Sequence, residues 1–266
     1  MKRYLLFILL LWVALPSQAQ SRKVYYSAFS HNDYEHSRPL FDALDRGFNC
    51  VEADLWYIDG ELYVSHSRPK TLDKERTFEK LYVEPIVNLI KQNRGRVHKY
   101  GRKPFVLMID CKTEGEDMLP RLEQALQPYR DMLCRVEDGK YHRSALFVFI
   151  SGKCPRKTIL ERGEGYLFID GVIADVGQGI DSRMMPVVSD NYKKFFKWLG
   201  EGEMPQEELE RMRDIIKRTH AEGKLFRWWG APDTKEFKRL FIREGVDLIG
   251  VDNLDILIEV LENKEK

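Results

Sequence analysis

Cysteine is scarce in this chain. The four present, Cys50, Cys111, Cys134 and Cys154, stand at spacings that match no zinc or redox motif. Cys50 and Cys111 fall inside predicted strands, where a cysteine is usually a small buried hydrophobe. Cys134 and Cys154 are open to pairing with each other. No glycine-rich dinucleotide fingerprint follows the first predicted strand, which argues against a doubly wound cofactor-binding sheet. No repeat at solenoid spacing and no low-complexity linker divides the chain. Excess charge of one sign is also missing: 43 Lys and Arg stand against 42 Asp and Glu. Nothing in that balance favours non-specific nucleic-acid binding. The one run of apolar residues long enough to suggest a membrane lies at the start, and no amphipathic membrane helix or extended apolar lid follows it.

That opening run is the first positive feature. Lys2 and Arg3 precede Leu5 to Leu15, Pro16 follows, and Ser17-Gln18-Ala19 supplies the small residues of a cleavage site. Residues 1–19 therefore have the pattern of a secretory signal peptide, and an exported protein, periplasmic or secreted, is expected. The run is too short to span a bilayer comfortably; an uncleaved anchor is the alternative. No cysteine follows it to carry a lipid. Its removal takes the formal charge from +1 to −1. It leaves residues 20–266 with no transmembrane segment and a length that suits one large domain or a single α/β barrel.

The chain is organised around residues 50–66, C-V-E-A-D-L-W-Y-I-D-G-E-L-Y-V-S-H. Cys50 to Ile58 reads as a strand, Asp59-Gly60 as a tight turn, and Glu61 to His66 as the returning strand. Asp-Gly between two apolar runs is a strong hairpin signal, because both turn positions need positive φ. Side chains alternate along a strand, so Glu52 and Asp54 share a face about 7 Å apart. Two carboxylates on an otherwise apolar strand call for a cation, either Arg or Lys or a hard metal ion. A solvent-facing edge strand would show the same alternation.

The remaining pattern alternates strands with helices. Strands are expected at Lys23–Ser30, Pro104–Ile109, Ala145–Ile150, Leu167–Ala174, Pro186–Ser189, Leu225–Trp229 and Val246–Val251. Helices are expected over Arg38–Arg46, Leu119–Leu133, Lys157–Arg162, Pro205–Ala221, Thr234–Arg243 and Leu254–Leu261. Another, capped by Ser189 or Asp190, should run through Trp198. Leu72 to Asn93 is a long, partly helical connection, and Val136 to Arg143 a polar hairpin around Asp138-Gly139. A loop holds Gly177, Gly179 and Asp181. About eight strand–helix units over this length fit an α/β fold of a single (β/α)8 TIM barrel.

In such a barrel the active site is built from the C-terminal ends of several strands. The residues standing there are His31 and Asn32, then Glu52 and Asp54 with His66 just beyond, Asp110 and Lys112, Arg227 and Trp229, and Asp252. They have a shared chemistry. Asn32, Glu52, Asp54 and Asp110 supply oxygen ligands for one divalent cation, Ca²⁺ or Mg²⁺. Lys112 and Arg227 offset the carboxylates and hold an anionic group such as a phosphate. Trp229 shares the face of Arg227, and Asp252 is expected to meet the substrate, to position a neighbour or to cap the last helix. His31 and His66 flank the reacting atom, one taking a proton and the other giving one.

At these residues the chain resembles the phosphatidylinositol-phospholipase-C-like (PI-PLC-like) phosphodiesterase superfamily, which includes glycerophosphodiester phosphodiesterases. The resemblance covers nearly all of residues 20–266. It rests on H-N at 31–32, V-E-A-D at 51–54, D-G-E-L-Y-V-S-H at 59–66, D-C-K at 110–112, R-W-W at 227–229 and G-V-D-L-I-G-V-D at 245–252. Within the superfamily the chain is most similar to the altered-inheritance-of-mitochondria family and its exported bacterial relatives. It shares with them H-N-D-Y, the segment from Arg227 to Asp233, and the closing G-V-D…D-N-L. The resemblance implies a TIM barrel, a divalent ion at Glu52, Asp54 and Asp110, and His31 and His66 as the acid–base pair. Two departures stand out. Asn32 replaces the Arg of glycerophosphodiesterases and matches instead the metal-ligating Asn of eukaryotic phosphoinositide phospholipases C. Asp110 stands where the third acidic ligand is usually Glu.

The expected function is an exported, metal-dependent phosphoric diester hydrolase acting on a small phosphodiester or phospholipid headgroup. A carboxylate-pair glycosidase on the same fold and a non-catalytic phospho-ligand-binding domain are the alternatives. The attacking group is either a substrate hydroxyl next to the phosphorus or a water. The sequence sets no oligomeric state.

Overall fold

The computed structural model describes residues 23–262. The expected signal peptide, residues 1–19, lies outside them. The described chain starts with β1 (Tyr25–Ser30), α1 (Phe41–Asp45), β2 (Phe48–Ile58), β3 (Glu61–Val64) and α2 (Glu84–Gln92). Next come β4 (Phe105–Cys111), α3 (Gly115–Leu126), β5 (Arg135–Glu137), β6 (Lys140–His142), β7 (Leu146–Gly152) and α4 (Arg156–Arg162). It finishes with β8 (Leu167–Gly171), β9 (Val187–Asn191), α5 (Tyr192–Phe195), α6 (Gln206–Ala221), β10 (Leu225–Trp229), α7 (Lys235–Glu244), β11 (Ile249–Val251) and α8 (Leu254–Glu262).

Eight strands pair in parallel in the order β10-β9-β8-β7-β4-β2-β1-β11. The two ends of that order meet. Arg227 bridges Leu248 in parallel, and the Phe226 carbonyl accepts from the Asp247 and Leu248 amides at 3.0 and 3.2 Å. The result is a nearly closed barrel of the TIM type, as expected. The register places Phe29 beside Cys50 and Gly250, and Met108 beside Glu52 and Phe149. Alternation then carries the apolar layer formed by Phe29, Cys50, Phe149 and Phe168 beneath the polar residues at the strand ends.

The hairpin forms as its sequence dictates. Asp59 and Gly60 take φ of 49° and 84°, the two left-handed positions that a tight hairpin turn needs. β3 then pairs antiparallel with β2 from Ile58–Glu61 to Leu55–Val64, which delivers His66 to the mouth of the barrel. Asp138-Gly139 closes the second hairpin in the same way, at φ of 50° and 68°.

Four expectations are corrected. The strand expected over Leu167–Ala174 ends at Gly171, and a 3₁₀ turn at Ile173–Asp175 leads into the expected loop, so one of the eight units lacks an α-helix. The helix expected through Trp198 is only α5, because β9 stays paired with β10 as far as Asn191–Trp229; Asn191 becomes the cap, accepting from the Lys193 amide at 3.0 Å. α1 is shorter than Arg38–Arg46, because Leu40 at φ 66° breaks the helical path just before it. Cys134 and Cys154 are not paired, and all four thiols are free. Cys134 precedes the start of β7, its amide bonded to the Leu146 carbonyl at 2.7 Å, whereas Cys154 follows the end of that strand at Gly152. A disulfide cannot reach along a seven-residue strand.

His98 ties the connection after α2 to the barrel. It is buried, and its Nε2–H donates to the Phe48 carbonyl at 2.7 Å. Burial pushes its pKa below the usual imidazole value, against the opposing effect of that hydrogen bond. A depressed folded-state pKa means that the unfolded chain binds the proton first. The stability contributed by neutral His98 is therefore complete above about pH 6.5 and is lost as the pH falls below it. His98→Gln should flatten this acid limb. Urea midpoints at pH 7.5 and 5.5 should fall further for the wild type than for the variant. The difference is at most about 1.4 kcal/mol for each pH unit below 6.5, and equal falls would show that His98 carries no such linkage.

Candidate active site

The strand ends bring three carboxylates together. Glu52 and Asp54 on β2 and Asp110 on β4 each present an oxygen, and these oxygens lie within 4.8 Å of one another. Asp54 and Asp110 are register partners on adjacent strands, so the crowding is fixed by the sheet. Glu52 and Asp54 are buried. Lys112 bridges part of the cluster, its Nζ 2.9 Å from Asp54 Oδ2 and 2.8 Å from Asp110 Oδ2. Burial lowers the Lys112 pKa, and the hydrogen bonds it donates to Asp110 and Asp54 more than restore it, so the group stays charged. Burial and the neighbouring Glu52 charge push the Asp54 carboxyl up, against the pull of Lys112 and Tyr34. Asp54 Oδ1 is sealed from solvent and has no partner. An all-oxygen donor set with an orphaned buried carboxylate oxygen fits a hard divalent cation.

Gly152 makes room for the cluster. It sits at φ 67°, and a Cβ there would lie 1.9 Å from Asp110 Oδ1. Any side chain would displace that carboxylate as well as strain the backbone.

The two histidines flank the carboxylates. The Nδ1–H of His31 donates to Asp252 Oδ1 at 2.7 Å, which leaves Nε2 facing Glu52 Oε2 at 3.5 Å. Burial opposes the charged imidazole, but the Asp252 bond and the Glu52 charge outweigh it and raise the His31 pKa. Asp252 itself is held low, chiefly by that same bond. His66 lies on the other flank, its Nδ1 3.3 Å from Asp54 Oδ2, with a side chain 65% exposed. Asp252 is thus placed on His31, in the role of positioning a neighbour. Asn32 donates its amide N–H to Glu52 Oε2 at 2.9 Å and its Nδ2 to Asp252 at 3.0 Å, while its Oδ1 accepts from Tyr34 at 2.8 Å. Asn32, expected as a fourth oxygen ligand, thus touches the carboxylate set through its backbone and through Tyr34, which takes up its Oδ1.

Arg227 and Trp229 line a pocket of about 280 Å³ on the far side of His31. Arg227 is buried, with its guanidinium carbon 4.7 Å from the centre of the Phe29 ring. Its Nε is sealed without an acceptor. Among the described residues no carboxylate pairs with it. Trp229 is 41% exposed at the mouth.

This architecture agrees with the family to which the sequence points. Residues 19–170, more than half of the chain, match the model of the AIM6-like phosphodiesterase domain. The chain belongs to that family. The match takes in His31, Asn32, Glu52, Asp54, His66, Asp110 and Lys112 and stops before Arg227, Trp229 and Asp252. The altered inheritance of mitochondria protein 6 homolog of Arthroderma benhamiae is 28% identical over 255 residues, covering 85% of this chain and 81% of that protein. Altered inheritance of mitochondria protein 6 of Saccharomyces cerevisiae is 25% identical over 270 residues, covering 85% of this chain and 68% of that protein. A looser likeness links the fold to a glycerophosphodiester phosphodiesterase of Agrobacterium tumefaciens. The TM-score is 0.48 at 17% identity, over 90% of this chain and all of that one.

Three residues of this AIM6-like domain escaped the sequence reading. Tyr34 is buried, and its hydroxyl lies 2.8 Å from Asn32 Oδ1, 2.7 Å from Asp54 Oδ2 and 3.3 Å from His66 Nδ1. Burial and the Asp54 carboxylate push its pKa far up, so it stays a donor. Asp33 is buried and accepts from Ser30 Oγ at 2.7 Å, the Leu40 amide at 2.6 Å and Tyr82 at 2.9 Å. Its pKa is pushed up to about 6 by burial, and those bonds pull against that. Asp170 ends β8 inside the barrel, bonded by Ser189, and burial pushes it up to about 6 despite the charge of Arg227. The H-N-D-Y motif was the available signal for Asp33 and Tyr34. Asp170 showed only as a break in an apolar run.

Tyr34→Phe should remove the one hydroxyl hydrogen available to Asn32 Oδ1 and Asp54 Oδ2, of which Asp54 Oδ2 keeps Lys112. It should cost about 1–3 kcal/mol of stability and weaken binding of added Ca²⁺ or Mg²⁺ about 10–100-fold. Calorimetric metal titration checks this, and unchanged affinity would remove Tyr34 from any role in organising the carboxylates.

Proposed function

We propose that this chain is an exported, metal-dependent phosphoric diester hydrolase acting on a small phosphodiester or phospholipid headgroup. The observation that carries the reading is the sealed, unpartnered oxygen of Asp54 within the Glu52–Asp54–Asp110 cluster, between two histidines and opposite an unpaired arginine. Export rests on the signal-peptide pattern of residues 1–19 alone.

Glu52, Asp54 and Asp110 would hold the ion, Ca²⁺ or Mg²⁺. When bound, it polarises a phosphoryl oxygen and offsets the charge that develops there. Arg227 presents a desolvated guanidinium to the phosphate from the opposite wall, in the planar geometry that suits two phosphoryl oxygens. Lys112 balances Asp54 and Asp110 and lies within the same mouth. His31 takes the proton of the attacking hydroxyl on Nε2. Asp252 fixes the tautomer by accepting from Nδ1–H and stabilises the imidazolium that forms. His66, on the open side, gives a proton to the leaving oxygen. Whether the hydroxyl belongs to the substrate or to water, the proton inventory is the same.

Hydrolysis of bis(4-nitrophenyl) phosphate by residues 20–266 tests the reading. Turnover should require added Ca²⁺ or Mg²⁺ and stop in chelator. His31→Ala should lower kcat about 10²–10⁴-fold, and Glu52→Gln should abolish metal-dependent turnover. Turnover of this diester that persists in chelator would remove the metal from the mechanism, whereas hydrolysis of 4-nitrophenyl glycosides in chelator, with the diester left intact, would favour the carboxylate-pair glycosidase. A folded protein that binds metal but turns over neither this diester nor 2-hydroxypropyl 4-nitrophenyl phosphate, which carries its own attacking hydroxyl, favours the non-catalytic phospho-ligand-binding domain. Activity unchanged in both variants would place the site elsewhere.

A further inference from the structure

We propose that the pocket beyond His31 receives the alcohol of the diester, and that this alcohol carries a negative charge of its own. The assignment rests on the phosphodiesterase reading for its orientation, with the phosphate at the carboxylate cluster and the alcohol on the opposite side of His31.

A charge inventory of the pocket wall supports it. Two carboxylates line the pocket, and both are used within the protein. Asp252 accepts from His31 at 2.7 Å and from Asn32 at 3.0 Å. Asp233 pairs with Lys238 at 2.8 Å and accepts from the Asp252 and Asn253 amides at 3.1 and 3.4 Å. Lys238 also donates to the Gly250 carbonyl at 2.7 Å, so it is spent as well. Two lining cations are left, Arg227 and Lys193, and neither has a carboxylate partner among the described residues. The ester phosphate of a diester carries one negative charge. The buried guanidinium of Arg227 is its counter-ion, because no carboxylate among the described residues lies within ion-pair distance of it and Asp170 acts on it only from further away. Lys193 then faces the alcohol with nothing to balance it.

The pocket is also built to hold a shape. Trp229 offers an apolar face for carbon atoms, with the Lys194 ammonium 6.0 Å from its ring centre and drawn toward Asp190 at 3.3 Å. Lys193 is fixed at the first turn of α5 by the Asn191 cap. Gly230, at φ 72°, lets that cap close against the turn after β10, since a Cβ there would meet Asn191 Oδ1 at 2.9 Å. The backbone that carries Lys193 and Trp229 is therefore held in place before any ligand arrives, which limits the ordering cost of binding to the Lys193 side chain.

Calorimetric titration in chelator with two matched probes, propyl phosphate and propane-1,3-diyl bisphosphate, tests the assignment without requiring turnover. The wild type should bind the bisphosphate about tenfold more tightly than propyl phosphate. Lys193→Gln, a change of an exposed side chain, should shrink that preference to less than about threefold. Arg227→Gln should weaken both probes. Equal affinity for the two probes, no detectable binding of either, or a preference that survives Lys193→Gln overturns the proposal. The two readings fail separately. A preserved preference without any diester hydrolysis sinks the phosphodiesterase and keeps the dianion pocket. Hydrolysis without the preference does the reverse.

Discussion

Three carboxylates confined within 4.8 Å of one another set the terms for everything around them. Two unit charges at 4 Å repel by about 4 kcal/mol at the effective dielectric of a protein surface, and by more where water is excluded. The sheet register prevents relief by movement, because Asp54 and Asp110 are paired on neighbouring strands. The fold answers with donors. Lys112 spans Asp54 and Asp110, Tyr34 gives its hydrogen to this group, and the Asn32 amide serves Glu52. One oxygen sealed from solvent is left without a partner, on Asp54. A cluster in which one lysine serves three carboxylates is an incomplete electrostatic unit, and that deficit is what the proposed divalent ion would fill.

The loop after β1 is where that demand reaches back into the fold. Asn32 takes φ 48°, a left-handed conformation that Asn tolerates better than most residues. That turn aims its amide at Glu52 and its side chain at both Asp252 and Tyr34. Asp33 then anchors the loop from below. Its carboxylate bonds the amide of Leu40, a buried residue at φ 66°. A leucine at positive φ costs of order 1–3 kcal/mol and persists only where its surroundings enforce it. The strain secures the entry to α1 and, with it, the position of His31 on the other side of the loop.

The legibility of the sequence divides along physical lines. Features set by neighbours in the chain could be read directly. Asp59-Gly60 announced its hairpin, apolar runs announced the barrel strands, and the charged residues ending those runs marked Glu52, Asp54, Asp110 and Lys112. Features set by distant partners could not. His31 and Asp252 are 221 residues apart and meet only because β1 and β11 are neighbours in the closed barrel. Tyr34 looked like one aromatic in a loop, and only the tertiary fold places its hydroxyl among Asn32, Asp54 and His66. The extension of β9 to Asn191, which shortened the expected helix to α5, depends on pairing with β10 and leaves no local mark. The suggested Cys134–Cys154 pairing failed for the same reason, since sequence spacing did not show that β7 separates them.

Closure of the barrel explains why Arg227 is available to a ligand. β10 and β11 meet through one parallel bridge, Arg227 to Leu248, with the Phe226 carbonyl shared between two amides. So short a contact leaves the upper part of β10 and β11 free to diverge, and the pocket beside His31 opens there. Gly250 keeps the β11 side clear, since a Cβ at that position would lie 3.2 Å from the Phe29 ring. Arg227 can then lie over Phe29 instead of against a carboxylate. Cation–π contact is worth about 0.5–2 kcal/mol, well short of the several kcal/mol needed to desolvate a cation. The rest of that cost is borne by the fold, with the charge of Asp170 acting on the guanidinium from beyond ion-pair distance. The short closure between β10 and β11 and the burial of this guanidinium over Phe29 are thus two aspects of one arrangement.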